Sequence, residues 1–359
     1  MKQIKVLFFA VLLSACIQQE HEEQMREETP PIEVIAEDLT IPWDMAFLPS
    51  GELLITERPG TLLILGNERR VIPIEDVHHR GEGGLLGVTL HPNFRENRWI
   101  YLYHTETANG ATKNRVERYR LEDATLTNRT TIIDEIPGAM YHDGGRMEFG
   151  PDGLLYITTG DATQSNLAQE KYSLAGKILR VEDDGSIPND NPFGTAVYSY
   201  GHRNPQGLTW DDEGRLWSTE HGRSGVQTGY DELNMIEPGK NYGWPHIQGS
   251  QTAVDMTSPI LQSGASDTWA PASAAYHHGS IFFGGLRGEA LYEAVLPKDG
   301  AKAILKTHFK NRFGRIRTVR LGPDGFLYLT TSNTDGRGTP QSGDDKIIRV
   351  YMSERTEDR

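Results

Sequence analysis

Cysteine is almost missing from this chain: of 359 residues, Cys16 is the only one. No internal disulfide can therefore form, and the fold has to be held by its core and by any bound ions. Familiar cofactor and metal signatures are missing as well. There is no CxxC pair, no EF-hand loop, no P-loop, no GxGxxG opening a helix and no serine-hydrolase elbow. Positive charge is in deficit, 36 Lys and Arg against 50 Asp and Glu, and the formal net charge of -14 argues against nucleic acid as a partner. Long helical patterns are also scarce. The 38 glycines and 19 prolines instead indicate an all-β protein rich in turns.

The longest apolar run, "VLFFAVLLSA" (6 to 15), is too short to span a bilayer as a mature anchor. It follows Lys2 and Lys5 and has the shape of a signal-peptide core. "LSAC" (13 to 16) resembles a bacterial lipoprotein signal, with cleavage before Cys16 and acylation of its thiol and new amine. The expectation is a signal peptide over 1–15 and a chain held by lipid to the outer face of a membrane. Residues 16–31 are polar and acidic, end in two prolines, and read as a flexible tether. The folded part is expected over 32–355, about 325 residues.

Four segments in that part share one phrase: "FLPSGELLITER" (47 to 58), "FGPDGLLYITTGD" (149 to 161), "WDDEGRLWSTEHG" (210 to 222) and "LGPDGFLYLTTSN" (321 to 333). Each has an apolar residue, a tight turn and a strand of alternating apolar positions. The turn glycines, Gly51, Gly153, Gly214 and Gly325, fit a unit of about 55 residues with two weaker copies between them. Those copies are expected in "LHPNFRENRWIYLYHT" (90 to 105) and "SIFFGGLRGEALYEAVL" (280 to 296). About 325 residues in units of about 55 predicts a six-bladed β-propeller. A pair of sandwiches, the other all-β solution, does not call for one turn-strand phrase along the whole chain.

A propeller brings distant loops together at one mouth of its channel, which makes the loops that break the repeat the candidates for chemistry. "HHRGEGGLLG" (78 to 87) carries Glu82 on a glycine-rich turn, "YHDGGRMEFG" (141 to 150) carries His142, and "YGHRNPQG" carries Arg203 and Asn204. "GGLRG" (284 to 288) carries Arg287, and "GRIRTVRLGPDG" (314 to 325) carries Arg315 and Arg317. Alternation puts Arg315 and Arg317 on one side of a strand, where they repel unless an anion or carboxylates lie between them. A solvated surface pair is the plain alternative. Arg203 and Arg287 beside other strands shift the balance toward a shared site for a polyanionic ligand. "DELN" with "NYGWP" points to hard-cation ligation through Glu232 and loop carbonyls. A lone loop histidine is more often structural than catalytic. The glycines next to His142 would let a ligand approach the backbone, and Asp143 could orient the ring, although adjacent side chains often point apart.

Taken together, "IPWDMAFLPSGELLITER", "GEGGLLGVTLHPNF", "HDGGRMEFGPDGLLYITTGD", "LAGKILRV", "YGHRNPQGL", "DELNMIEPGKNYGWP" and "GRIRTVRLGPDGFLYL" resemble the soluble quinoprotein glucose/sorbosone dehydrogenases, in particular the bacterial aldose sugar dehydrogenase branch. The resemblance runs in order from about residue 33 to 351. It implies a six-bladed propeller that binds pyrroloquinoline quinone (PQQ) and Ca²⁺. It also implies oxidation of an aldose at C1 to a lactone, hydride passing to the quinone and electrons to an external acceptor. His142 falls at the general base. Glu82 stands where many relatives have glutamine beside the quinone. Arg203, Asn204, Gly285, Leu286, Arg287, Arg315 and Arg317 match cofactor contacts, with lysine common in relatives at position 287. Gly222 and Arg223 match a turn whose carbonyls hold calcium, often with proline second. Glu232 and Tyr242 match a second calcium site, the tyrosine through its carbonyl. A catalytically silent ligand- or carbohydrate-binding propeller is the second reading; His142 together with the arginines favours the enzyme over it.

Overall fold

A computed structural model describes residues 32–108, 110–223, 229–296 and 302–352. Cys16 and the insertion "SGVQT" (224 to 228) lie outside the described residues. Strand β1 (Ile32–Ala36) is followed by six groups of strands, which build six four-stranded antiparallel sheets. Blade 1 is β2 (Pro42–Phe47), β3 (Leu53–Glu57), β4 (Thr61–Leu65) and β5 (Arg69–Pro73). Blade 2 is β6 (Leu85–Leu90), β7 (Trp99–Ala108), β8 (Ala111–Glu122) and β9 (Thr125–Pro137). Blade 3 is β10 (Met147–Phe149), β11 (Leu155–Thr159), β12 (Lys177–Val181) and β13 (Val197–Tyr200). Blade 4 is β14 (Pro205–Trp210), β15 (Leu216–Glu220), β16 (Glu232–Ile236) and β17 (Leu261–Gln262). Blade 5 is β18 (Pro271–His277), β19 (Ser280–Gly285), β20 (Ala290–Val295) and β21 (Ile304–His308). Blade 6 is β22 (Ile316–Leu321), β23 (Leu327–Thr331) and β24 (Ile347–Val350), with β1 as its outer strand. The architecture is a six-bladed β-propeller. Its ring is closed by pairing the first strand with the last, Ile32 opposite Val350.

The repeated phrase is the turn from the innermost strand of a blade to the next. Gly51, Gly153, Gly214 and Gly325 all sit there with positive φ. In blade 2 the same turn holds the one-turn helix α1 (Phe94–Asn97) and ends on Arg98 in the left-handed region, inside the segment expected for a degenerate copy. In blade 5 the turn lies at 277–280, with Gly279 at φ 75. The segment 280 to 296 begins at the end of that turn and covers β19 and β20, so the expected copy is shifted along the chain. "HHGS" has neither proline nor aspartate, at least one of which leads into the glycine in each of the four full copies.

Alternating apolar residues on each blade pack against the next blade, so the core is a ring of layers and not one central mass. Leu54, Leu62, Val88 and Leu102 fill the seam between blades 1 and 2. Met147, Ile157, Leu179 and Tyr101 fill the next, and Ile178, Leu208 and Leu216 the one after. Phe283 and Leu233, then Leu291, Ile316 and Leu329, and finally Met45, Ile55 and Ile347 complete the ring. Each fully buried aliphatic side chain contributes about 1.5–3 kcal/mol.

Side-chain hydrogen bonds to carbonyls of a neighbouring blade stitch these seams. Thr56 donates to Leu86, Ser273 to Val319 and Thr318 to Trp43. Toward the axis, the inner strands carry a buried charge cluster. Asp44 is ion-paired with Arg146 and accepts from Arg320, and Arg320 also reaches Glu148. The Arg146 guanidinium lies 4.4 Å from the Trp43 ring, and Arg317 lies 5.7 Å from that ring.

Candidate active site

The loops at the opposite end of the blades from the repeated turns enclose a cavity of about 530 Å³. Glu82, Tyr141, His142, Arg203, His221, Gly222, Arg223, Asp231, Leu286, Arg287, Arg315 and Arg337 are among its walls. These residues come from loops of every blade, which is what a propeller mouth does with residues far apart in sequence.

His142 owes its position to a folded-back loop. Its φ is 66°, in the left-handed region, and its N–H donates to Glu82 Oε2 at 2.9 Å. Its carbonyl accepts from the N–H of Ala162 at 3.2 Å. The ring Nδ1 lies 2.7 Å from Asp161 Oδ1. Asp161 in turn accepts from the Thr163 N–H at 2.8 Å and from Trp244 Nε1 at 2.9 Å, so its carboxylate is held from two further directions. A carboxylate that accepts from Nδ1–H leaves Nε2 as the basic nitrogen. The side chain of His142 is 15% exposed and Asp161 only 2%, so the histidine is the member of the pair that faces the cavity.

The neighbour Asp143 does not orient the ring. It turns inward, where Oδ1 accepts from Asn114 Nδ2 at 3.1 Å and from the Ala139 N–H at 3.0 Å. Burial raises its carboxyl to about 7. The positive φ at His142 separates the two side chains and gives the ring to Asp161, nineteen residues on.

Glu82 is a carboxylate with assigned work. Burial would raise its pKa, but His221, the His142 N–H, Arg337 and the His142 ring outweigh that and hold it near 2. Its other oxygen, Oε1, accepts from Arg337 Nη1 at 2.9 Å. His221 is buried and pushed down by that burial, with Asp231 and Glu82 opposing. Asp231 is saturated by the N–H groups of Gly222, Trp269 and Ala270 and by the Thr268 hydroxyl.

The arginines divide into a rim and a floor. Arg203, Arg223, Arg287, Arg315 and Arg337 line the cavity. Arg315 donates to Asp335 at 2.8 Å and to the Leu286 carbonyl at 3.2 Å, so Asp335 supplies one of the carboxylates the arginine pair requires. Arg317 lies beneath, buried, donating to Gln206 Oε1 at 2.8 Å. Burial and then Arg58 push it down to about 9. Asn204 is also buried behind the wall, its Oδ1 accepting from the Gly144 N–H at 3.0 Å. Gly285 sits at the end of β19, where an added Cβ would meet the Tyr292 ring at 2.6 Å. Leu286 and Arg287 reach the cavity; Gly285 does not line it.

Two buried donors behind these walls, Arg317 Nε and Asn204 Nδ2, and the ring nitrogen His221 Nε2 have no hydrogen-bond partner. Buried polar groups are normally satisfied, so a set of orphans around one cavity marks where a ligand with several acceptor atoms fits. Two guanidiniums at 203 and 315, the exposed Arg287 and these donors suit a planar polyanion such as PQQ.

Glu232 and Tyr242 face a second cavity of about 20 Å³, together with Glu220, Gly222, Arg223 and Trp244. That is room for a single ion or water. Glu232 stands directly opposite Glu220 in the β15–β16 register. Burial, then repulsion from Glu220, pushes its carboxyl well up. A cation between the two carboxylates would relieve that repulsion, and carboxylate and carbonyl oxygens are the donors Ca²⁺ takes. Among the described residues no group of three or more His, Cys, Asp or Glu side chains is arranged as a metal cluster, so a cation here would lean on main-chain oxygens. The Tyr242 hydroxyl is committed to the Met235 carbonyl at 2.6 Å, leaving its main chain for that role.

Asp161, His221, Asp231 and Arg337 are site residues that motif reading did not single out. Asp161 ends the repeated phrase "YITTGD" and His221 belongs to "EHG", so both stood inside quoted motifs but looked like strand termini. Arg337 lies in "NTDGRG", where no local signal distinguishes it.

Comparison with known proteins follows the same lines. The family model for glucose/sorbosone dehydrogenase matches residues 39–348. An aldose sugar dehydrogenase of Escherichia coli (strain K12) is 33% identical over 345 residues, covering 86% of this chain and 91% of that protein. The PQQ-bound form of an aldose sugar dehydrogenase from Streptomyces coelicolor superimposes with a TM-score of 0.83 at 38% identity, over 90% of this chain and 99% of that one. A Thermus thermophilus protein described as a putative oxidoreductase (glucose dehydrogenase) gives 0.84 at 41% identity, over 89% and 99%.

Proposed function

This chain belongs to the glucose/sorbosone dehydrogenase family, and from that premise we propose that it oxidises aldose sugars at C1 with PQQ and Ca²⁺ as cofactors. One observation carries the reading: the His142 ring, held by Asp161, stands on the wall of a cavity lined by five arginines. When bound, PQQ supplies an ortho-quinone that accepts two electrons from the sugar, and Ca²⁺ supplies a hard positive charge.

The remaining work falls to the chain itself. Arg203, Arg287 and Arg315 would bind the cofactor's carboxylates, with Arg317 and Asn204 presenting their unpartnered nitrogens from behind. Leu286 would pack on the ring system. The carbonyls of Gly222 and Arg223 are the candidates for the calcium at the cofactor; Glu232 and Tyr242 are those for a second calcium. His142 Nε2 takes the proton of the C1 hydroxyl as general base. Asp161 fixes the tautomer and steadies the imidazolium that results. Glu82 holds the His142 main chain. Loss of the C1 hydrogen and the hydroxyl proton from the cyclic aldose leaves a lactone, and the two electrons pass on to an external acceptor.

The test is to load calcium-treated apoprotein with PQQ and offer a panel of aldoses with an artificial dye as acceptor. PQQ-dependent dye reduction with aldoses is the expected result. Tight PQQ binding with no aldose oxidised would leave a binding propeller instead. The proposal extends to location, on the "LSAC" motif: the mature chain begins at acylated Cys16 and stays at the membrane. Cys16→Ser should release it or leave it unprocessed, and a wild-type chain that is soluble with a free thiol refutes this part.

A further inference from the structure

The blade 6 loop between β23 and β24 reaches across the mouth in two places at once. Asp335 Oδ2 accepts from Arg315 Nη2 at 2.8 Å, and Asp335 Oδ1 accepts from the N–H of Arg337 at 2.9 Å. Arg337 then donates to Glu82 Oε1 at 2.9 Å, a contact between residues 255 apart in sequence. Its guanidinium also lies 5.4 Å from the Tyr141 ring, next to His142. Glu82 passes the connection on through Oε2 to the His142 N–H at 2.9 Å. One short loop thus joins an arginine of the cofactor wall to the main chain of the proposed base.

Charge explains why the connection needs a cation at 337. Glu82 is ionised, and its charge also acts on Arg58, Arg203 and Arg317. Without Arg337, the carboxylate would draw on guanidiniums that an anionic ligand requires, and it would repel that ligand directly. An amide at position 82 could still accept from the His142 N–H and would carry no charge to balance.

We propose that Arg337 is a positioning residue for the sugar-oxidising site: it neutralises Glu82 so that the remaining arginines serve the anionic cofactor, and it keeps Glu82 under the His142 main chain. The inference rests on the reading of the cavity as a PQQ site. The experiment is a PQQ titration, followed by quenching of intrinsic fluorescence, of calcium-loaded wild type, Arg337→Gln, Arg337→Lys and the double variant Glu82→Gln/Arg337→Gln. Thermal unfolding of each apoprotein is recorded alongside.

Arg337→Gln should bind PQQ roughly tenfold more weakly, a modest loss because Arg337 is half exposed. Arg337→Lys should lose less. The double variant should recover most of the lost affinity, which an arginine that merely props the rim loop would not allow. An Arg337→Gln protein that unfolds while the double variant folds supports the same charge coupling. Equal affinity of Arg337→Gln and wild type overturns the inference, as does a double variant as weak, or as unfolded, as the single one. Wild-type protein that binds no PQQ overturns the cofactor reading itself, and this inference with it.

Discussion

The two ends of the propeller use glycine for opposite reasons. At the end that carries the repeated turns, Gly51, Gly153, Gly214 and Gly325 have positive φ, and a Cβ added to any of them would meet nothing within 4 Å. They are there for backbone angle alone. At the mouth, a Cβ on Gly160 would lie 1.9 Å from the His142 carbonyl oxygen, and one on Gly222 would lie 2.3 Å from the Tyr230 main chain. Those glycines are there because two loops pass through nearly the same space. One end is built by local turn chemistry, which repeats. The other is built by close tertiary approach, which does not.

Substitutions can break this contrast, and the largest effect should come from the mouth. Gly160→Ala should cost more than about 4 kcal/mol in urea unfolding, or collapse the site, since the clash is with backbone that cannot step aside. A near-neutral result would mean that the loop around His142 is loosely packed.

Asp143→Asn tests the buried side of the same loop through pH. The Asp143 carboxyl is raised from 3.8 to about 7 by burial, so the folded state binds its proton more tightly than the unfolded state. Its contribution to stability is therefore greatest below the unfolded value and declines as pH rises through the folded one, by at most about 4 kcal/mol. The unfolding free energy of wild type relative to Asp143→Asn should show that decline between about pH 4 and 7. Parallel pH profiles would show that the carboxyl titrates normally.

Asp161→Asn should leave the fold and PQQ affinity close to wild type. It should lower the rate of aldose oxidation by roughly 10- to 100-fold, because the ring at His142 loses the charge that fixes its tautomer. An unchanged rate would remove Asp161 from the site. The smallest effect belongs to the far end: Gly153→Ala should cost only about 1 kcal/mol, the strain of a left-handed alanine in open space.

The same contrast explains what could be read from the sequence. The blade plan was legible wherever a proline or an aspartate led into the turn glycine, because that chemistry is local. It slipped in blade 5, where "HHGS" makes the same turn with Gly279 and no proline or aspartate. The arginines and His142 were legible as departures from the repeat, and the structure brings His142, Arg203, Arg287 and Arg315 to one cavity. The partner of His142 was not legible. The residue beside it in sequence points into the core, while Asp161 arrives through the next turn of the blade. Arg337 was further out of reach, since nothing short of ring closure places it next to Glu82.

The central claim is that this mouth holds PQQ under a histidine base, and it is tested most directly by the rate of aldose oxidation of His142→Ala loaded with PQQ and Ca²⁺ to the same occupancy as wild type. The arginines, not His142, hold the cofactor in this account. The variant should therefore load normally and lose a factor of roughly 10² to 10⁴ in rate. Oxidation at the wild-type rate by the fully loaded variant would contradict it.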